Sequence, residues 1–171
     1  MRSIVLSLWA TATLAAQAPD LKSASGYVRA VQAQLRRNVE RAAEKMPEES
    51  YAFRPSNDVR TFGELLGHIA DTEYGFCASV IGEPNPNKAD TEKDKKSKAD
   101  IVAAVKGAFA YCEKAYAGLS DDKVAEVARM GNNERNKMGI LMFNNAHTNE
   151  HYGNMATYMR IRGIVPPSSE R

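Results

Sequence analysis

The chain has 171 residues, 43% of them hydrophobic, which suits a single domain with its own core. A formal net charge of +2, dispersed along the sequence, offers no basic face for nucleic acid. The one long apolar run lies at the start of the chain, is too short to span a membrane, and has no counterpart elsewhere.

That run reads as an address. Met1-Arg2 supplies a positive start, residues 3–15 an apolar core, and Ala16-Gln17-Ala18 the small residues a signal peptidase reads. Ile4, Val5, Leu6, Leu8, Trp9 and Leu14 leave no polar face, which argues against an amphipathic helix. The expectation is a signal peptide over 1–18, cleaved after Ala18, and a periplasmic or secreted domain over 19–171. An oxidising compartment permits a disulfide between Cys77 and Cys112, which fall on different helices; two small buried hydrophobes are the alternative. Neither cysteine has Cys-x-x-Cys spacing, so neither reads as a metal ligand.

Between residues 25 and 45, Val28, Val31, Leu35, Val39, Ala42 and Met46 recur every three or four positions. This predicts an amphipathic first helix, stopped by Pro47. An extended connector over 48–60 leads to Thr61-Phe-Gly-Glu64, the spacing of a capping box. The second helix then carries Leu65, Leu66, His68, Ile69, Phe76, Val80 and Ile81 on its core face, and Gly82 and Pro84 end it. Residues 83–99 are the most polar stretch and read as a solvated crossover with nothing to bury. It is long enough to run the length of the domain, which would set the second and third helices parallel. Ser97 or Asp100 caps the third helix, with Ile101, Val105, Ala108, Phe109, Cys112 and Tyr116 along one side. Ser120-Asp121-Asp122 caps a short turn, and 129–137 reads as a loop. The last helix, over about 138–162, has an inward stripe of Ile140, Phe143, Asn144, His147, His151, Met155 and Tyr158 before Gly163 and Pro166-Pro167 close it. With no strands, repeat or second domain, the fold class is all-α: a four-helix bundle with a long crossover between helices two and three.

The chemistry lies in His147-Thr-Asn-Glu-His151, where two imidazoles stand one turn apart on one helix face. The remaining histidine, His68, is on the inward face of the second helix. Packing the two helices together could bring all three rings to one point, and three neutral nitrogens with an open position suit a catalytic zinc or a similar divalent ion. The competing reading is three satisfied core histidines, although clustered imidazoles repel as soon as one is protonated. A His-Glu-x-x-His protease is excluded by Thr148 after the first histidine, and a ferritin-like di-iron site by the missing Glu-x-x-His pairs. There is no phosphate loop and no Gly-x-Ser-x-Gly.

Met46-Pro-Glu-Glu-Ser-Tyr-Ala-Phe-Arg-Pro55 and Arg60-Thr-Phe-Gly-Glu-Leu-Leu-Gly-His68-Ile-Ala-Asp71 resemble the DinB/YfiT-like superfamily. So do His147-Thr-Asn-Glu-His151-Tyr-Gly-Asn-Met-Ala-Thr-Tyr158 and Arg160-Ile-Arg-Gly163-Ile-Val-Pro-Pro167. The resemblance covers nearly all of 19–171. It implies a four-helix bundle with the long crossover, a homodimer, and a divalent metal held by one histidine of the second helix and two of the fourth. Those positions match His68, His147 and His151. The family is similar in fold to thiol-dependent S-transferases and to an isomerase with a thiol cofactor, in which the metal activates the thiol. An exported protein departs from that picture, since small thiol cofactors belong mainly to the cytosol. The expected function is therefore a metal-dependent enzyme, of hydrolase or thiol-transferase type, acting on a small molecule. Glu150 is its catalytic candidate, and Asp71 and Asn149 are candidates for orienting the ligands. The alternative is a non-catalytic metal-binding or stress-related module with a structural metal. Zinc and nickel come ahead of iron and manganese, since imidazole accepts them all.

Overall fold

Each helix begins where a side chain can take up its free amides. In a computed structural model, which describes residues 19–170, α1 (Ala24–Lys45) starts at Ser23, whose hydroxyl accepts from Gly26 N–H. The expected signal peptide, 1–18, lies outside the described residues. α2 (Phe62–Ile81) opens on the predicted capping box: Thr61 Oγ1 accepts from Glu64 N–H at 3.2 Å and Glu64 Oε2 from Thr61 N–H at 2.7 Å. It ends at Gly82, whose φ of 81° is left-handed. After the short α3 (Thr91–Asp94), Ser97 caps α4 (Lys98–Ala117), and Asn136 caps α5 (Lys137–Ile161).

The four long helices pack as the crossover requires. Cys77 and Cys112 form a disulfide, Cα–Cα 5.3 Å, toward the C-terminal ends of α2 and α4. Glu83 and Lys114 pair at those same ends, so the two helices are parallel. Glu44 pairs with Lys106 at 2.6 Å and sets α1 antiparallel to α4. Asn145 Nδ2 donates to Val28 O at 3.0 Å and Lys45 Nζ to Val165 O at 2.8 Å, so α1 and α5 run the same way. One apolar cluster, with Phe62, Leu66, Ile69, Val105, Phe109, Met155 and Met159, fills the end of the bundle nearer the start of α2. A second, around the disulfide, holds Val80, Tyr116, Leu119 and Leu141. Each such fully buried side chain contributes roughly 1.5–3 kcal/mol. Among the described residues no helix is long and apolar enough to cross a membrane.

Three local expectations need correction. Residues expected to form a loop make an antiparallel hairpin, β1 (Val127–Met130) and β2 (Asn133–Asn136). Met130 pairs with Asn133, leaving Gly131 (φ 60°) and Asn132 as a two-residue turn of the kind that twists with its strands. The crossover is not wholly solvated either: Thr91 is buried, and α3 rests on α2. Phe143, placed on the inward stripe of the last helix, is 55% exposed.

Candidate metal centre

α2 and α5 cross antiparallel, with Tyr158 Oη donating to Arg60 O at one level and Asn144 Nδ2 to Glu73 Oε2 at another. Between those levels the inward faces present His68 from α2 and His147 and His151 from α5. His147 Nε2 lies 3.3 Å from His68 Nε2 and 3.1 Å from His151 Nε2. A divalent ion with tetrahedral bonds of 2.0–2.1 Å to nitrogen sets neighbouring ligand atoms about 3.3 Å apart. The spacing of this donor set fits such an ion. His147 Nδ1 and His151 Nδ1 are buried without a hydrogen-bond partner among the described residues, so only the Nε2 edges of these rings are engaged.

Burial favours the neutral form of the two α5 rings, the form that ligates. Burial lowers the pKa of His147, with the neighbouring His68 charge adding to it. His151 is pushed down to about 4, by burial first and then by His147 and His68. His68 is held from behind. Its Nδ1 is 3.0 Å from Glu92 Oε2, and since a carboxylate only accepts, Nδ1 carries the proton and the Nε2 lone pair faces the other two rings. The second Glu92 oxygen accepts from Arg60 Nε at 2.8 Å.

The two sides of the cluster differ. Phe76 and Phe143 stack against His147 with centroid distances of 5.8 and 6.3 Å, an apolar wall. Next to His151 opens a polar cleft of about 530 Å3, lined by Asp58, Arg60, Glu92, Glu150 and Tyr158 among others. Glu150 is exposed in this cleft. Asn149 lines the groove between α1 and α5 instead. Asp71 points to the crossover, accepting from Asn87 Nδ2 at 2.7 Å and from the amides of Thr91 and Glu92, each at 3.1 Å.

Sequence reasoning missed Glu92, Arg60 and Glu73. Glu73 is fully buried at the centre of the bundle, its carboxylate accepting from Gln32 Nε2 (3.0 Å), Asn144 Nδ2 (2.9 Å) and Thr148 Oγ1 (2.8 Å). Burial pushes its pKa up to about 7, against the pull of those three hydrogen bonds. A signal existed, since Glu73 falls in the same three-to-four-residue series as Leu66, Ile69, Cys77 and Val80. For Glu92 there was none, because its contact spans 24 residues.

Comparison with known proteins agrees with this architecture. A DinB-like protein from Bacillus cereus has a TM-score of 0.71 at 17% identity, over 86% of this chain and 98% of its own. Another from Bacillus subtilis has a TM-score of 0.65 at 17% identity, over 85% of this chain and 99% of its own. No curated protein matches the chain in sequence. The family model of the DinB superfamily matches residues 32–155, a span that holds all four long helices in whole or in large part and all three histidines, and the chain belongs to that superfamily.

Proposed function

We propose that His68, His147 and His151 together hold one divalent metal ion, and that the chain is a metal-dependent enzyme, of hydrolase or thiol-transferase type, on a small polar molecule. The observation that carries this reading is the convergence of three imidazoles whose ligand atoms lie within 4.8 Å of one another, with His147 Nε2 at about the edge length of a tetrahedral site from both other Nε2 atoms. A divalent ion bound there supplies Lewis acidity, making a coordinated water or thiol more acidic. Zinc and nickel come first for an all-imidazole set, with iron and manganese behind them.

The chain's own residues do the rest. The His147 and His151 rings stay neutral at neutral pH because they are buried beside other imidazoles. Phe76 and Phe143 keep water from the His147 side. Glu150 stands in the cleft next to His151, where a carboxylate can take a proton from a substrate or return one. The cleft favours this reading over a purely structural metal, whose site is closed by its ligands.

Export over 1–18 is part of the proposal, and the Cys77–Cys112 disulfide supports it, since such bonds persist in oxidising compartments. A homodimer is the expected assembly, to be read by light scattering. The deciding experiment is metal analysis of purified protein, followed by activity screening with and without the metal. His68→Ala, His147→Ala and His151→Ala should each lose most of it, while Glu150→Gln should keep it and lose activity. Full stoichiometric metal in His68→Ala at neutral pH would refute the three-histidine site.

A further inference from the structure

We propose that the crossover between α2 and α4 is a working part of the metal site: Glu92 of α3 is the positioning residue that fixes His68 for ligation, and Arg60 and Asp71 hold Glu92 in place. The proposal rests on the metal reading above and adds residues that reading does not need.

His68 is the one ligand that the bundle alone does not fix. His147 and His151 sit one turn apart on a single helix, whereas His68 comes from the opposite helix and keeps 21% of its side chain exposed. An imidazole in that position can turn about its side-chain bonds and can carry its proton on either nitrogen. Glu92 removes both freedoms. Its Oε2 accepts from His68 Nδ1–H at 3.0 Å, which fixes the ring and sends the Nε2 lone pair toward His147. Neither His147 Nδ1 nor His151 Nδ1 has such a partner among the described residues, so the device belongs to His68.

Glu92 is in turn held at several points. Arg60 Nε donates to its other oxygen at 2.8 Å. Its backbone amide and that of Thr91 donate to the Asp71 carboxylate, which lies three residues beyond His68 on α2. The closest contact is at Gly67, where a Cβ would lie 2.6 Å from Glu92 Cα and 2.7 Å from Glu92 N. The backbone of α3 therefore rests directly on α2, one residue before the ligand, where only glycine leaves room. A loop that merely joined two helices would need none of these contacts.

The test is a titration of the metal-free full chain with Co(II), reading affinity by chelator competition and ligand geometry from the visible d–d bands. Thermal unfolding of the metal-free form separates folding defects from site defects. Glu92→Ala should weaken Co(II) binding about 10- to 100-fold and change the d–d bands. Glu92→Gln keeps an oxygen that can accept from Nδ1–H and should recover most of that loss, whereas Glu92→Met, of similar length but without that oxygen, should not, a difference that a general packing role would not give. Arg60→Ala leaves the core untouched and should give a smaller loss in the same direction, which keeps the idea testable if Glu92→Ala folds poorly. Glu92→Ala or Arg60→Ala protein that is less stable but binds Co(II) with wild-type affinity and spectrum overturns the proposal, because the contact is then only a staple for the crossover. If the wild type itself fails to bind Co(II), as His68→Ala should, the metal reading falls and this proposal falls with it.

Discussion

Glu73 makes a prediction that can be worked through in numbers. Its carboxylate is sealed in the middle of the bundle with three donors and no cation among them. Burial lifts its pKa from 4.5 to about 7. A carboxyl group whose folded pKa lies above its unfolded one adds stability below the unfolded value, and that stability is lost as the pH rises through the folded value. The shift, at 1.36 kcal/mol per unit, amounts to about 3 kcal/mol lost between pH 4.5 and pH 8. The protonated form has somewhere to place its hydrogen: Gln32 Oε1 and Asn144 Oδ1 are buried acceptors without a donor, and turning either amide brings its oxygen to Glu73. Glu73→Gln mimics that neutral form at every pH. In urea unfolding of metal-free protein, the advantage of Glu73→Gln over wild type should grow by about 3 kcal/mol from pH 4.5 to pH 8. The difference between the two proteins cancels the other titrating groups. If it stays flat over that range, Glu73 is ionised throughout and the reasoning is wrong.

Three further outcomes are expected. Removing the disulfide with Cys77→Ser and Cys112→Ser opens a loop of 35 residues in the unfolded chain and should cost about 4 kcal/mol of unfolding free energy; a loss below about 1 kcal/mol would count against the bond. Gly67→Ala must push the backbone of α3 off α2, so thermal unfolding should show a loss of about 1–3 kcal/mol together with weaker Co(II) binding. Gly75→Ala, where nothing lies within 4 Å, should instead gain stability from helix propensity, and similar behaviour of the two variants would sink the close-approach argument. Metal-free protein should show a His151 imidazole titrating near pH 4 by NMR. Because the unfolded ring takes up protons that the folded ring refuses, this site lowers stability as the pH falls from about 6.5 toward 4. An ordinary midpoint near 6.5 would mean that the rings are not packed together as described.

The sequence revealed whatever was encoded locally. The Thr61–Glu64 capping box, the Gly82 and Gly163 helix ends, and the pairing of His147 with His151 each depend on residues within four or five positions of one another. His68 could be added because its helix has a single apolar face. The hairpin was hidden because strands of four residues are too short to show alternation, and only Gly131-Asn132 hinted at a turn. Phe143 keeps the helical spacing of the inward stripe but lies against Phe76 at its edge, where a ring can touch a neighbour and water together. Glu92 was illegible for a stronger reason. It sits among lysines and acids that have the composition of a solvated loop, and only the fold brings one of those acids to a histidine.

The position of the disulfide also bears on how the protein withstands proteases. The crossover carries Lys88, Lys93 and Lys96 in exposed positions, so it is the natural place for a trypsin-like cut. Cys77 and Cys112 flank it on either side. A chain nicked there stays one covalent molecule, with His68 on one fragment and His147 and His151 on the other, and separates into two bands only after reduction.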